Sequence, residues 1–262
     1  MARRLTLAAL VLLLAVSTTG WAETPAKGTA YTGGGPSFSA PTGGDIVLWD
    51  QTGQYGYWAF PDQDFEAAFD TYDAEGADDF LVTFPNGWDI NQINILGFYS
   101  PGPGPAQATS VAVYPDAGGT PAAAPICDYP LLGTFTDYGG AFLIPLPTPC
   151  SVGPGTYWVS HSARQDVVPF GQHFWVTSTS GNLNDAVWRN PGNGFGTGCT
   201  DWDSILTCFP DEDPPLVASD WIFQIVGQER AEPVPAINRV GLALLLAALM
   251  AGSFLVFRRR SA

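Results

Sequence analysis

Apolar and polar positions alternate in short bursts through the middle of the chain. Phe80, Val82 and Phe84 alternate with Leu81 and Thr83, which turns one face of a strand toward a core. Pro85-Asn86-Gly87 then turns the chain into Trp88–Tyr99, where Ile90 followed by Ile93 and Ile95 breaks the two-residue period. That one-residue slip predicts a bulge near Asn91-Gln92. Val111 and Val113 mark a further strand, and Phe142, Ile144 and Leu146 another that closes at Pro147, Pro149 and Cys150. Gly155–Ser160 opens a strand that Phe174 to Thr177 answers across a loop, and Trp221–Val226 is the last. Upstream, Ile46–Trp49 and Tyr55–Phe60 read as an early hairpin, preceded by a flexible Gly/Thr/Pro-rich lead-in over 23–44. No window between Glu23 and Glu232 holds a helical period, and 30 Gly with 23 Pro interrupt most candidates. Short strands separated by turn residues predict an all-β fold, a jelly-roll-like antiparallel β-sandwich over 45–228.

The two ends carry a different pattern. Arg3 and Arg4 precede the apolar run Leu5–Val16, and Gly20-Trp21-Ala22 supplies small residues for cleavage, so 1–22 reads as a signal peptide. At the other end, Val240–Phe257 has 18 residues without a charge, followed by Arg258, Arg259 and Arg260. As a helix it is roughly 27 Å long, near the lower limit for crossing a hydrocarbon core. It is apolar all round, where a soluble-core helix keeps a polar stripe. The arginines predict a cytoplasmic tail at 258–262, a single transmembrane helix at 240–257, and the domain on the far side of the membrane.

The linker 229–239 leads into Val234-Pro235-Ala236-Ile237-Asn238-Arg239-Val240-Gly241. A Pro-containing signature, a short apolar helix and a terminal Arg cluster resemble the C-terminal sorting signals of exosortase-type systems in Gram-negative bacteria. The nearest variety has an Ile-Pro-Thr-Leu-Ser-Glu-Trp-Gly signature; Pro235 and Gly241 are identical to it, and Val234 and Ile237 are apolar replacements. The resemblance implies recognition in the membrane by a Cys-dependent, exosortase-like processing enzyme, then cleavage and surface display. The plainer alternative is a retained single-span anchor.

Charge narrows the partners. All 25 acidic residues fall between Glu23 and Glu232, against Lys27, Arg164, Arg189 and Arg230. Such a surface repels nucleic acid, which is excluded as a partner, and attracts cations. The four cysteines, Cys127, Cys150, Cys199 and Cys208, are even in number and would reach an oxidising compartment, which predicts two disulfides with three possible connectivities. Sequence-local pairing, Cys127–Cys150 and Cys199–Cys208, is preferred because both segments read as loops at strand ends. No zinc spacing is present.

Ala77-Asp78-Asp79-Phe80, Gly87-Trp88-Asp89-Ile90, Gly153–Ser160, Asn190–Gly196 and Trp221–Gly227 together resemble a β-sandwich domain of secreted bacterial proteins, over about Gly76–Gly227. The resemblance implies a fold and an extracellular setting.

Three constellations are candidates for chemistry. Eight acids crowd between Asp62 and Asp79. An EF-hand frame starting at Asp62 fails, with Ala67 where Gly is needed and Asp73 where Glu is needed. A jelly-roll-style Ca²⁺ site joining Asp78 or Asp79 to Asp220 is the alternative, if those strand edges are neighbours; a solvated acidic loop is the plain reading. Trp188 and Trp202, in a Gly/Asn-rich loop region, are the candidate platforms for an extracellular polysaccharide, with sugar C–H faces stacking on their rings. Trp88, Trp158, Trp175 and Trp221 lie in strands and are assigned to the core. His161 and His173, on facing strands, come within reach of one another or cap a core edge. No hydrolase or phosphate-binding motif is present. The expectation is a non-catalytic exported envelope protein, with a carbohydrate-binding module as the alternative and a secreted glycoside hydrolase third.

Overall fold

A computed structural model describes residues 24–33, 38, 41, 43–216 and 220–232. The expected signal peptide, the sorting motif with Val234, Pro235 and Gly241, the apolar segment 240–257 and Arg258–Arg260 all lie outside the described residues. Among the described residues no helix is long and apolar enough to cross a membrane.

The described chain is all-β. Helix is confined to the single turns Asp70–Tyr72, Val167–Phe170 and Ile205–Cys208, as a chain rich in Asp, Gly and Pro requires. One layer runs, edge to edge, Asp203–Ser204, Val187–Arg189, Glu75–Val82, Gly155–Arg164, Ala108–Pro115 and Cys127–Leu132. Its pairings are antiparallel except that Gln63–Asp64 lies parallel to the end of Gly155–Arg164. The facing layer runs Thr136–Asp137, Phe142–Val152, Trp88–Ile95, Phe223–Glu229 and Ile46–Asp50. Phe80, Val82, Val111, Val113 and Val159 from the first layer meet Ile93, Ile95, Phe142, Ile144, Phe223 and Ile225 from the second in one buried core, the arrangement of a β-sandwich.

A third sheet grows from the second by a fork. Trp88–Ile95 and Phe223–Glu229 pair with each other, but their continuations, Gly97–Tyr99 and Asp220–Trp221, both pair with His173–Ser178 instead. At the branch point a closed ring of three backbone hydrogen bonds satisfies every strand. Leu96 N–H donates to Ile222 O (3.1 Å), Ile222 N–H to Val176 O (3.0 Å) and Val176 N–H to Leu96 O (3.0 Å). The same three side chains pack together with Ala59 and Phe174. The backbone N–H and C=O of Leu96, Ile222 and Val176 are all paired where the sheet divides.

Several expectations change here. Ile46–Asp50 and Tyr55–Pro61 are not a hairpin: the first pairs with Phe223–Glu229, the second with Thr29–Ala30 and His173–Ser178. Gly155–Arg164 and His173–Ser178 belong to different sheets. Part of the lead-in is held, since Ala26 exchanges two hydrogen bonds with the Gln172 amide (2.8 and 2.7 Å) and Tyr31 N–H donates to Tyr57 O. The strand from Phe142 continues through Pro147 and Pro149 to Val152. The slip read at Asn91-Gln92 is a bulge: Gln92 pairs with Val226 and Ile90 with Gly227, which leaves Asn91 over. Gly227 belongs opposite it, because a Cβ there would stand 2.1 Å from Asp89 O.

Both disulfides join the sequence-local partners. Cys127–Cys150, with Cα atoms 5.9 Å apart, ties an edge strand of the first layer to Phe142–Val152 in the second. Cys199–Cys208, 5.8 Å apart, closes a loop onto the turn Ile205–Cys208. Cys127 and Cys150 sit within strands rather than loops, so this bond stitches the layers themselves.

Candidate functional site

The most connected polar assembly is buried. Asp62 follows the strand Tyr55–Pro61, His161 sits in the middle of Gly155–Arg164, and His173 opens His173–Ser178; all three are 0 % exposed. Asp62 bridges the two rings, with Oδ2 2.5 Å from His161 Nδ1 and Oδ1 2.6 Å from His173 Nδ1. The far nitrogens are also engaged: His161 Nε2 lies 2.7 Å from Thr109 Oγ1 and His173 Nε2 lies 2.8 Å from Gly140 O.

The partners fix the protons. A carbonyl oxygen only accepts, so His173 Nε2 carries hydrogen; its Nδ1 faces a carboxylate and carries one too. His173 is therefore an imidazolium paired with an ionised Asp62; the Thr109 hydroxyl can donate to His161 Nε2, and burial favours the neutral ring with its hydrogen on Nδ1. The electrostatics agree. Burial alone lifts the Asp62 carboxyl, but the charges and hydrogen bonds of His173 and His161 outweigh it and hold Asp62 below the usual range. Burial pushes His161 down despite Asp62. For His173 burial also pulls down, but Asp62 and the Gly140 carbonyl win and raise it.

These ligand-capable atoms lie within 4.8 Å of one another, the compactness of a metal site. Two ligands of one tetrahedral ion, each about 2.0–2.1 Å from it, would stand roughly 3.3 Å apart. The Nδ1–O separations of 2.5 and 2.6 Å are hydrogen-bond lengths instead. At these lengths the three side chains are joined by hydrogen bonds, and the knot ties two sheets together through the core. The sequence displayed both histidines but not Asp62, whose place in a run of acids concealed that it faces inward.

Asp78 and Asp79 lie within the strand Glu75–Val82, and Asp220 opens the strand Asp220–Trp221. Asp78 Oδ2 accepts from Trp221 N–H (2.7 Å) and Gln51 Nε2 (2.9 Å), so the first core strand and the last are neighbours there. Asp78 Oδ1 accepts from Asp79 N–H (2.8 Å). Asp79 Oδ2 accepts from Asn184 Nδ2 and N–H (2.6 and 3.2 Å), and Asp220 Oδ2 from Asn182 N–H. Burial, with Asp220 and Asp79 close by, raises Asp78 well above the usual range. Burial likewise lifts Asp79 to about 6 and Asp220 to about 7.

The rest of the acidic run is not a simple solvated loop. Asp64 pairs with Arg164 (2.8 Å) and Glu75 with Arg189 (2.6 Å), while Asp73 accepts from Phe65 N–H (2.7 Å) and Glu66 from Val167 N–H (3.0 Å).

The two candidate platforms part company. Trp188 is 0 % exposed, in the strand Val187–Arg189, with Nε1–H donating to Pro61 O (2.7 Å), so it is core and no platform. Trp202 is half-buried over the outer face of the first layer, against Tyr114. The Arg189 guanidinium lies 4.1 Å from its ring centroid and is held there by Glu75. Trp202, Arg189 and Asp201 line a cleft of about 310 Å³ with Thr120, Pro121, Ala122 and Ala123. No protein-family model, curated protein or solved structure matches the chain. The chemistry of the cleft is an aromatic edge beside a fixed cation and a carboxylate, which suits a polyhydroxylated ligand.

Proposed function

We propose that this chain is a non-catalytic exported envelope protein, a disulfide-bonded β-sandwich of jelly-roll kind held outside the cytoplasm by its C-terminal segment. The observation that carries the reading is that all four cysteines are joined in two disulfides, bonds that persist in oxidising compartments. Segment 1–22 directs export, and Val240–Phe257 with Arg258, Arg259 and Arg260 stops transfer. The motif around Val234, Pro235 and Gly241 is the substrate of an exosortase-like enzyme that cleaves and displays the domain. Protease added to intact cells tests this: digestion of the domain without permeabilisation is the expected result, and protection until the outer boundary is breached would refute surface display.

A second reading, a carbohydrate-binding module for an extracellular polysaccharide, is favoured by the Trp202–Arg189–Asp201 cleft. Screening on a glycan array, with Trp202→Ala alongside, should give binding that the variant loses; an array blank for the wild type would remove this reading and leave the first intact.

A further inference from the structure

Asp78, Asp79 and Asp220 are 0, 0 and 1 % exposed, three carboxylates taken out of water. To stay ionised they need a compensating charge; without one, burial raises all three and favours their protonated forms. Among the described residues none is supplied by the protein: the basic side chains that form ion pairs, His161, His173, Arg164, Arg189 and Arg230, pair with Asp62, Asp64, Glu75 and Asp89. The geometry gathers two of the acids around one short segment, because Asn182 N–H binds Asp220 and Asn184 binds Asp79.

A second, separate observation singles out one atom. Asp79 Oδ1 is buried and has no hydrogen-bond partner among the described residues, although the other oxygen of the same carboxylate has two donors. Buried oxygens in folded proteins are nearly always satisfied. An unpaired carboxylate oxygen beside two further buried acids matches the donor set of a hard cation.

We propose that Asp79 and Asp220 bind a divalent cation, with Ca²⁺ the best fit. Asp78 is not a direct ligand, since both its oxygens already accept N–H groups. The donors are oxygens only, with no His or Cys, which selects against Zn²⁺. Ca²⁺ accepts irregular oxygen shells completed by backbone carbonyls and water, whereas Mg²⁺ demands a near-ideal octahedron. Two protein carboxylates place the affinity in the weak range of extracellular modules, about 10⁻⁴–10⁻³ M.

The test uses the exported chain, stripped with a chelator and melted with and without 10 mM CaCl₂ at neutral pH. At the tighter end of that range the cation should raise Tm by roughly 5–10 °C. Asp79→Asn and Asp220→Asn should each remove most of the shift, while Asp128→Asn, an exposed acid elsewhere, should leave it unchanged. Tryptophan-sensitised Tb³⁺ emission from the unsubstituted chain, displaced by Ca²⁺, provides a readout if a variant fails to fold, because Trp221 adjoins Asp220. No Tm shift and no displaceable Tb³⁺, or a shift that survives Asp79→Asn, would overturn the site.

Discussion

Removing the Asp62 carboxylate probes the buried knot directly, because one substitution strips both histidines of their acceptor while another keeps a hydrogen-bonding group of the same shape. Asp62→Ala leaves His161 Nδ1–H and His173 Nδ1–H without an acceptor, in a core where all three residues are fully buried. Two unsatisfied buried donors cost about 1–3 kcal/mol each, and breaking a buried ion pair about 3–5 kcal/mol in all. That is a third or more of a typical domain stability of about 10 kcal/mol. Asp62→Asn is different. Its carbonyl oxygen accepts from His161 Nδ1–H and its amide donates to His173 Nδ1, once His173 becomes neutral and keeps its hydrogen on Nε2 toward Gly140 O. Every hydrogen bond survives and the charge disappears, so the cost should stay near or below about 1.5 kcal/mol.

The pH profile separates the variants further. His173 is raised when folded, so its contribution is complete below its unfolded value of about 6.5 and is lost as pH climbs through the folded value. His161 is lowered, so its contribution is complete above about 6.5 and is lost as pH falls toward the folded value. The pair together therefore peaks near pH 6.5. In Asp62→Asn both rings are buried and neutral, so the alkaline decline vanishes and only the acid one remains. Urea denaturation from pH 5 to 9 measures both limbs, and the difference between wild type and variant isolates the knot from other titrating groups. The reasoning fails if Asp62→Ala costs under about 1 kcal/mol, or if Asp62→Asn costs as much as Asp62→Ala.

Other expectations follow from the same structure. Opening Cys127–Cys150 should cost about 3.5 kcal/mol and opening Cys199–Cys208 about 2.7 kcal/mol by loop closure, a ranking that paired Cys→Ser variants check in urea. Trp188→Ala should lose about 3–5 kcal/mol as a buried aromatic, whereas half-exposed Trp202→Ala should lose clearly less; equal losses would contradict their assigned environments. Gly227→Ala should disrupt the bulge opposite Asn91, since its Cβ would strike Asp89 O, and proteolysis or hydrogen exchange should report loosening along Phe223–Glu229 first.

What the sequence made legible was local. Alternation marked the strands because one face of each is buried, and the slip from Ile90 to Ile93 located the bulge at Asn91 because a two-residue period admits no other repair. The disulfide partners lie 23 and 9 residues apart, near enough for spacing to suggest them. What stayed hidden depends on contacts between distant segments. Asp62 reaches its histidines across 99 and 111 residues, so nothing in its neighbourhood in the sequence distinguishes it from the other acids of the run. The false hairpin of Ile46–Asp50 and Tyr55–Pro61 came from proximity in sequence, whereas each strand finds its partners far along the chain. Trp188 looked exposed because Gly and Asn surround its region, yet a three-residue strand suffices to point it inward. Asp78 and Asp220 were matched because they lie on the first core strand and the last, and the structure puts those edges side by side.

The most direct test of the central claim, export into an oxidising compartment, is the intact mass of the protein recovered from its native cells without reduction. The account predicts a chain that has lost 1–22 and lies four hydrogens below the fully reduced mass, both disulfides being closed. A chain that retains residues 1–22 and has all four cysteines open to thiol reagents would contradict it.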